Sequence, residues 1–97
     1  MMETLTSARF QEHLNTLFRI ELPDSPVLEL TLTAVEHHSR PPVETVTLTF
    51  QGPLHLFAAQ NTYPFRHETL GRFDLFLVPV GKNESGFQYQ VVINRLG

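Results

Sequence analysis

The chain contains no cysteine and no tryptophan. Without thiols there is no disulfide framework, no thiolate metal site and no cysteine nucleophile. A reducing compartment suits such a chain. Basic residues are sparse. Arg9, Arg19, Arg40, Arg66, Arg72, Lys82 and Arg95 stand singly along 97 residues, and the formal net charge is −3. Phosphate contacts supply most nucleic-acid affinity, and no Lys/Arg run exists to make them, so no nucleic-acid partner is expected. The five glycines, Gly52, Gly71, Gly81, Gly86 and Gly97, sit at breaks or at the end, and none builds a phosphate-binding loop. Long apolar runs are missing too. The longest, Leu75 to Val80, is far too short to span a membrane. Met1 to Phe10 lacks the basic start and apolar centre of a signal peptide. The expectation is a cytoplasmic protein with no membrane partner.

What is present is a core-forming composition. Hydrophobic residues make up 41% of the chain, with eight Phe and two Tyr, enough for one globular domain spanning 1–97. Helical character is confined to 6–15. Thr6 is placed to cap the first free N–H groups. Leu5 and Phe10 then form a hydrophobic staple across that cap. Phe10 and Leu14 share one face, and Asn15 is a left-handed terminator. So short a helix needs packing to survive.

From there the period is two, over 17–95. Phe18, Ile20 and Leu22 alternate with Arg19 and Glu21. After Pro23-Asp24-Ser25-Pro26, Leu28, Leu30, Leu32 and Ala34 alternate with Glu29, Thr31 and Thr33. Glu36 to Pro42 reads as a polar break. Val46, Leu48 and Phe50 then alternate with threonines, which suit an exposed sheet face. Leu54 to Asn61 is irregular and reads as a crossover. Thr62 to Arg66 alternates around Pro64, which marks an edge strand or a bulge. Phe73 to Val80 is apolar on both parities except Asp74, the pattern of a central strand covered on both faces. Gly81 to Gly86 is a polar turn, and Phe87, Tyr89, Val91 and Ile93 line the last strand. The fold class is mainly β with one short N-terminal helix. About six antiparallel strands form a meander, closing into a small open barrel or a two-layer sandwich.

Chemistry-bearing motifs are weak. His37 and His38 are neighbours, and strand neighbours point to opposite faces. A metal site would need further ligands such as His13, His55, His67 or Glu36, and no spacing demands one. His67 beside Glu68 reads as turn polarity rather than an acid–base pair. No serine carries a nucleophile signature. No catalytic, cofactor-binding or metal residues are assigned, and the chain reads as a non-enzyme. The apolar residues around the crossover are more informative. Leu54, Leu56, Phe57, Tyr63 and Phe65, with Gln60, form either a lid on the core or an exposed patch for a partner. An open meander would also offer two unpaired edges for strand addition by another chain.

Several motifs together resemble a known family. They are Leu5-Thr6 with Phe10, the strand start at Phe18, Phe50-Gln51-Gly52-Pro53 and Gln60-Asn61-Thr62-Tyr63. His67 with Leu70-Gly71, and Phe76-Leu77-Val78-Pro79-Val80-Gly81 followed by Tyr89, complete the set. The pattern resembles a family of uncharacterised small bacterial proteins, a domain of unknown function. Some of its members are encoded near phage-tail-collar-like proteins. Two positions depart from that family's glycines: Asn61 after Gln60, and Asn15-Thr16 before the first strand. Asparagine tolerates positive φ, so the turns are expected to persist. The resemblance implies an accessory or assembly role. The expected function is therefore a non-enzymatic protein-interaction module with a protein partner or a homo-oligomer, which the resemblance ties to a phage-derived or tail-like bacterial assembly. The alternative is a small-molecule or metal-binding β-barrel.

Overall fold

The computed structural model describes residues 6–23 and 27–96. One helix, α1 (Ser7–Gln11), precedes six strands: β1 (Leu17–Ile20), β2 (Leu28–Arg40), β3 (Val43–Gly52), β4 (Asn61–His67), β5 (Gly71–Asn83) and β6 (Gly86–Leu96). Thr6 caps the helix as expected, its hydroxyl accepting from the Arg9 N–H. The helix stops after Gln11, earlier than the sequence suggests, and turns lead to Asn15 at φ 66°. Asn15 thus adopts the left-handed conformation that asparagine tolerates better than most side chains. Asn61 does not. It opens β4 in extended backbone, and its side chain accepts from the Thr62 N–H. The expected Leu5 staple lies outside the described residues.

The six strands are not one meander but two of three strands each. The ring order is β1-β2-β3-β6-β5-β4, with every pair antiparallel. A long β3–β6 ladder joins the two halves on one side. A short seam, Arg19↔Arg66 and Ile20↔Phe65, closes the ring on the other. The sheet therefore closes on itself rather than staying open or splitting into two layers. Pro64 lies just beyond that seam, where a missing N–H costs β4 no bond to β1.

Phenylalanines fill the interior. Phe10, Phe18, Phe50 and Phe65 are fully buried, with ring centroids 5.3 Å apart for Phe18–Phe50 and 5.5 Å for Phe50–Phe65. Phe10 plugs one end from α1, against Phe18 and Phe73. At the opposite end β3 delivers the chain into the 53–60 crossover, whose Ala58 is buried. The Ala58 N–H donates to the Tyr89 hydroxyl at 3.1 Å, and the Tyr63 hydroxyl donates to the Ala59 carbonyl at 2.6 Å. Packing there leaves no room for a side chain at Gly52. A Cβ would stand 2.8 Å from Leu30 Cδ2 and 3.1 Å from Tyr89 Cε2.

Three sequence expectations give way to the structure. The polar stretch 36–42 is not a break. β2 runs on to Arg40 and turns tightly through Pro41-Pro42, joined by a cis peptide bond, into β3. A bulge between Leu32 and Ala34 resets the alternation, so Ala34 pairs with Thr49 on the outer face and Val35 with Leu48 on the inner face. The strand expected to be covered on both faces is covered on one. Phe73, Leu75 and Leu77 are buried, whereas Phe76 and Val80 are half exposed.

Candidate interaction surfaces

The strands differ in length, and the surplus forms a projection. β1 pairs with β2 only up to Thr31. The β5–β6 ladder ends at Val78↔Gln90. Beyond these points β2, β3 and β6 continue together, from Ala34↔Thr49 to Arg40↔Val43 and from Leu48↔Val91 to Val43↔Leu96. The result is a three-stranded flap with β3 in the middle. Its base is tied to the helix end, where the Asn15 N–H donates to the Leu32 carbonyl and the Leu32 N–H to the Thr16 carbonyl. Along the flap, among the described residues, β2 and β6 pair with β3 alone, so each presents an edge.

The two edges differ in chemistry. The β2 edge carries Glu36, His37, His38, Ser39 and Arg40, all exposed. His37 and Ser39 face inward, and both reach Glu44, at 2.6 Å each. These hydrogen bonds, that from Ser39 first, hold the Glu44 carboxyl below its ordinary pKa. Ser39 bonds the carboxylate and not the imidazole, so the trio lacks the serine–histidine contact of a nucleophilic relay. His38 faces the other way, beside Thr45 and Arg40. The β6 edge reads Val91-Val92-Ile93-Asn94-Arg95-Leu96, with no charge before Arg95. Val92 is 53% exposed and Leu96 84%.

The six crossover residues singled out in the sequence do not form one surface. Phe65 is fully buried in the ring and Tyr63 is 5% exposed, so both belong to the interior. Leu56 packs partly against the core. Leu54, Phe57 and Gln60 are exposed. Phe57 stands on the ring end, 4.9 Å from Phe87, whose own ring lies 5.5 Å from the Lys82 ammonium. The segment is foremost a lid. Alternation alone separates Tyr63 and Phe65 from the loop: both occupy the inward parity of β4.

A groove of about 580 Å³ lies outside the ring, between the crossover and the outer face of β1 and β2. Leu17, Val27 and Leu56 line it with the Arg19–Glu29 ion pair, His55 and Gln51. The Gln51 amide oxygen accepts from Gln88, while its buried nitrogen has no partner among the described residues.

The histidines are dispersed or structural. His67 is 7% exposed and serves its turn: Nδ1 accepts from the Thr69 and Leu70 N–H groups at 3.0 and 3.1 Å. That fixes the tautomer, so Nε2–H donates to the Thr16 hydroxyl at 2.9 Å, which donates to the His13 carbonyl at 2.6 Å. Burial, then the neighbouring His13, lowers the His67 pKa. Among the described residues, no three His, Cys, Asp or Glu side chains are grouped to hold a metal ion. Nor is any described helix long and apolar enough to cross a membrane.

Helix plug, strand ring and projecting flap define a small mainly β domain whose most distinctive surface is a sheet edge. The chain belongs to the DUF6916 family, a domain of unknown function, which matches residues 5–93. No curated protein and no solved structure matches the chain.

Proposed function

We propose that this chain is a non-enzymatic interaction module that joins a protein partner by strand addition at the β6 edge. On this reading it works in the cytoplasm as an accessory to a larger assembly, of the phage-derived or tail-like bacterial kind that the sequence resemblance implies. One observation carries the reading. From Val91 to Asn94 the β6 edge has no charge and no proline, and its outer side chains include half-exposed Val92. Sheet edges left free in solution are ordinarily blocked by such groups, because their N–H and C=O rows template pairing with any extended chain. In strand addition the main-chain ladder supplies affinity, and alternate side chains supply specificity.

The test is affinity capture with the intact chain and with V92K/L96K, which places two cations along the edge. Both positions are solvent-exposed, so the substitutions leave the core untouched. The expected result is a partner retained by the unaltered chain and lost with the variant. Equal capture by both contradicts the reading, as does capture by neither when the chain also stays monomeric.

A further inference from the structure

We infer that the β6 edge pairs with the β6 edge of a second copy of this chain, across a two-fold axis through Asn94. The inference rests on the edge reading above and names its occupant. A two-fold axis through one residue of an edge strand runs the strand antiparallel to its own copy and joins two flaps into one sheet. The strand order across that sheet is then β2-β3-β6-β6-β3-β2.

Side-chain pairing selects the register. With Asn94 on the axis, Val92 lies opposite Leu96 of the second copy, and Ile93 lies opposite Arg95 of the second copy. The exposed apolar residues of the β6 outer face, at 53% and 84% exposure, then cover each other. The two Arg95 cations are kept apart. Moving the axis to Arg95 sets them directly opposite, and like charges so placed are destabilising. Moving it to Ile93 puts Val92 opposite Asn94 and Leu96 opposite Gln90, so the exposed Val92 and Leu96 no longer cover each other. Gln90 is also still engaged by β5 through Val78. The Asn94 register uses only residues 92–96, all beyond the point where β5 leaves β6.

The β2 edge does not offer the same fit. Glu36, His38 and Arg40 line its outer face, so strand pairing there would crowd and desolvate charges. Only one of the two flap edges is therefore suited to pair, which gives a closed dimer rather than an open filament.

The experiment is light scattering on a size-exclusion column, from dilute to near-millimolar protein. It compares the unaltered chain, V92K/L96K and V92K/L96E, with circular dichroism showing that each is folded. The unaltered chain is expected to move, as concentration rises, toward twice the chain mass of 11.1 kDa. V92K/L96K sets cations opposite each other across the axis and is expected to stay at the chain mass. V92K/L96E sets a cation opposite a carboxylate and is expected to restore the dimer. A monomer at every concentration overturns the inference, as does a dimer undisturbed by V92K/L96K. Failure of V92K/L96E to restore it overturns the Asn94 register. A monomer that still captures a different protein through the β6 edge removes the second copy and leaves the edge reading standing. A monomer that captures nothing removes both.

Discussion

The two edges of the flap share a central strand and differ in almost everything else. β2 and β6 flank β3 over the same stretch, and among the described residues both leave one side without a ladder partner. On β2 the free side carries Glu36, the two histidines and Arg40. On β6 it carries valine, isoleucine and asparagine, with Arg95 near the end. Pairing with β3 is the same physical demand on both strands, so it cannot explain the contrast. What distinguishes them is what each must refuse. Charge on β2 makes strand addition costly, while β6 leaves it open.

The largest expected effect removes both edges at once. Phe10 plugs the ring end beside which the flap is anchored, at zero exposure. Phe10→Ala should destabilise the fold by about 3–5 kcal/mol, the usual cost of emptying an aromatic site in a core. Urea unfolding would measure it. A loss below about 1 kcal/mol would mean that the plug contributes little beyond an ordinary surface residue.

A gentler perturbation of the same anchor is acid. The folded-state pKa of His67 is lowered below its ordinary 6.5, by burial first and then by His13, while Glu68 opposes the shift. Above the unfolded value both states are neutral at this site and the stability contribution is complete. As pH falls below it, the unfolded chain takes the proton first. Stability is then lost progressively down through the folded pKa. Protonating Nδ1 would also turn an acceptor into a donor facing the Thr69 and Leu70 N–H groups. Melting temperature should therefore fall as pH drops below 6.5. In H67Q, that fall should be shallower. An identical pH profile for both proteins would exclude His67 as its source.

The smallest expected change in stability has the most pointed consequence for the edges. E36V/H38V gives the outer face of β2 the character of β6. Both residues are exposed, so stability should shift by no more than about 0.5 kcal/mol. Association should change in kind: with two permissive edges, dimers can continue into larger species. Light scattering would show a mass that keeps rising with concentration. An unchanged mass would mean that charge is not what protects β2.

The same contrast explains what the sequence made legible. Strands whose inner face lies on the core announced themselves by alternation: Phe18 and Ile20, Leu48 and Phe50, Tyr89 and Val91 are all buried. The Thr6 cap and the left-handed backbone at Asn15 were readable because each acts within one turn of chain, although the helix itself ends earlier, at Gln11. The outer half of β2 was hidden. A strand segment with water on both faces has no apolar period, and only its pairing with β3 makes it a strand. The bulge before Ala34 was equally silent, since Leu28, Leu30, Leu32 and Ala34 alternate as though the ladder were unbroken. Phe76 and Val80 misled in the other direction, because apolar residues on an outer face look like a second buried face. The crossover cluster joined lid and core residues because Tyr63 and Phe65 follow it closely in sequence while pointing into the ring. The β6 edge could not be found from sequence: Val91 to Leu96 reads as one more core strand until β5 is seen to leave it.

Amide hydrogen exchange of the unaltered chain, read residue by residue at low and high protein concentration, tests the difference between the edges most directly. Protection is expected to rise with concentration across residues 92–96 of β6 and to stay constant across residues 34–40 of β2. Protection rising on β2, or on neither strand, would contradict the assignment of β6 as the edge that pairs.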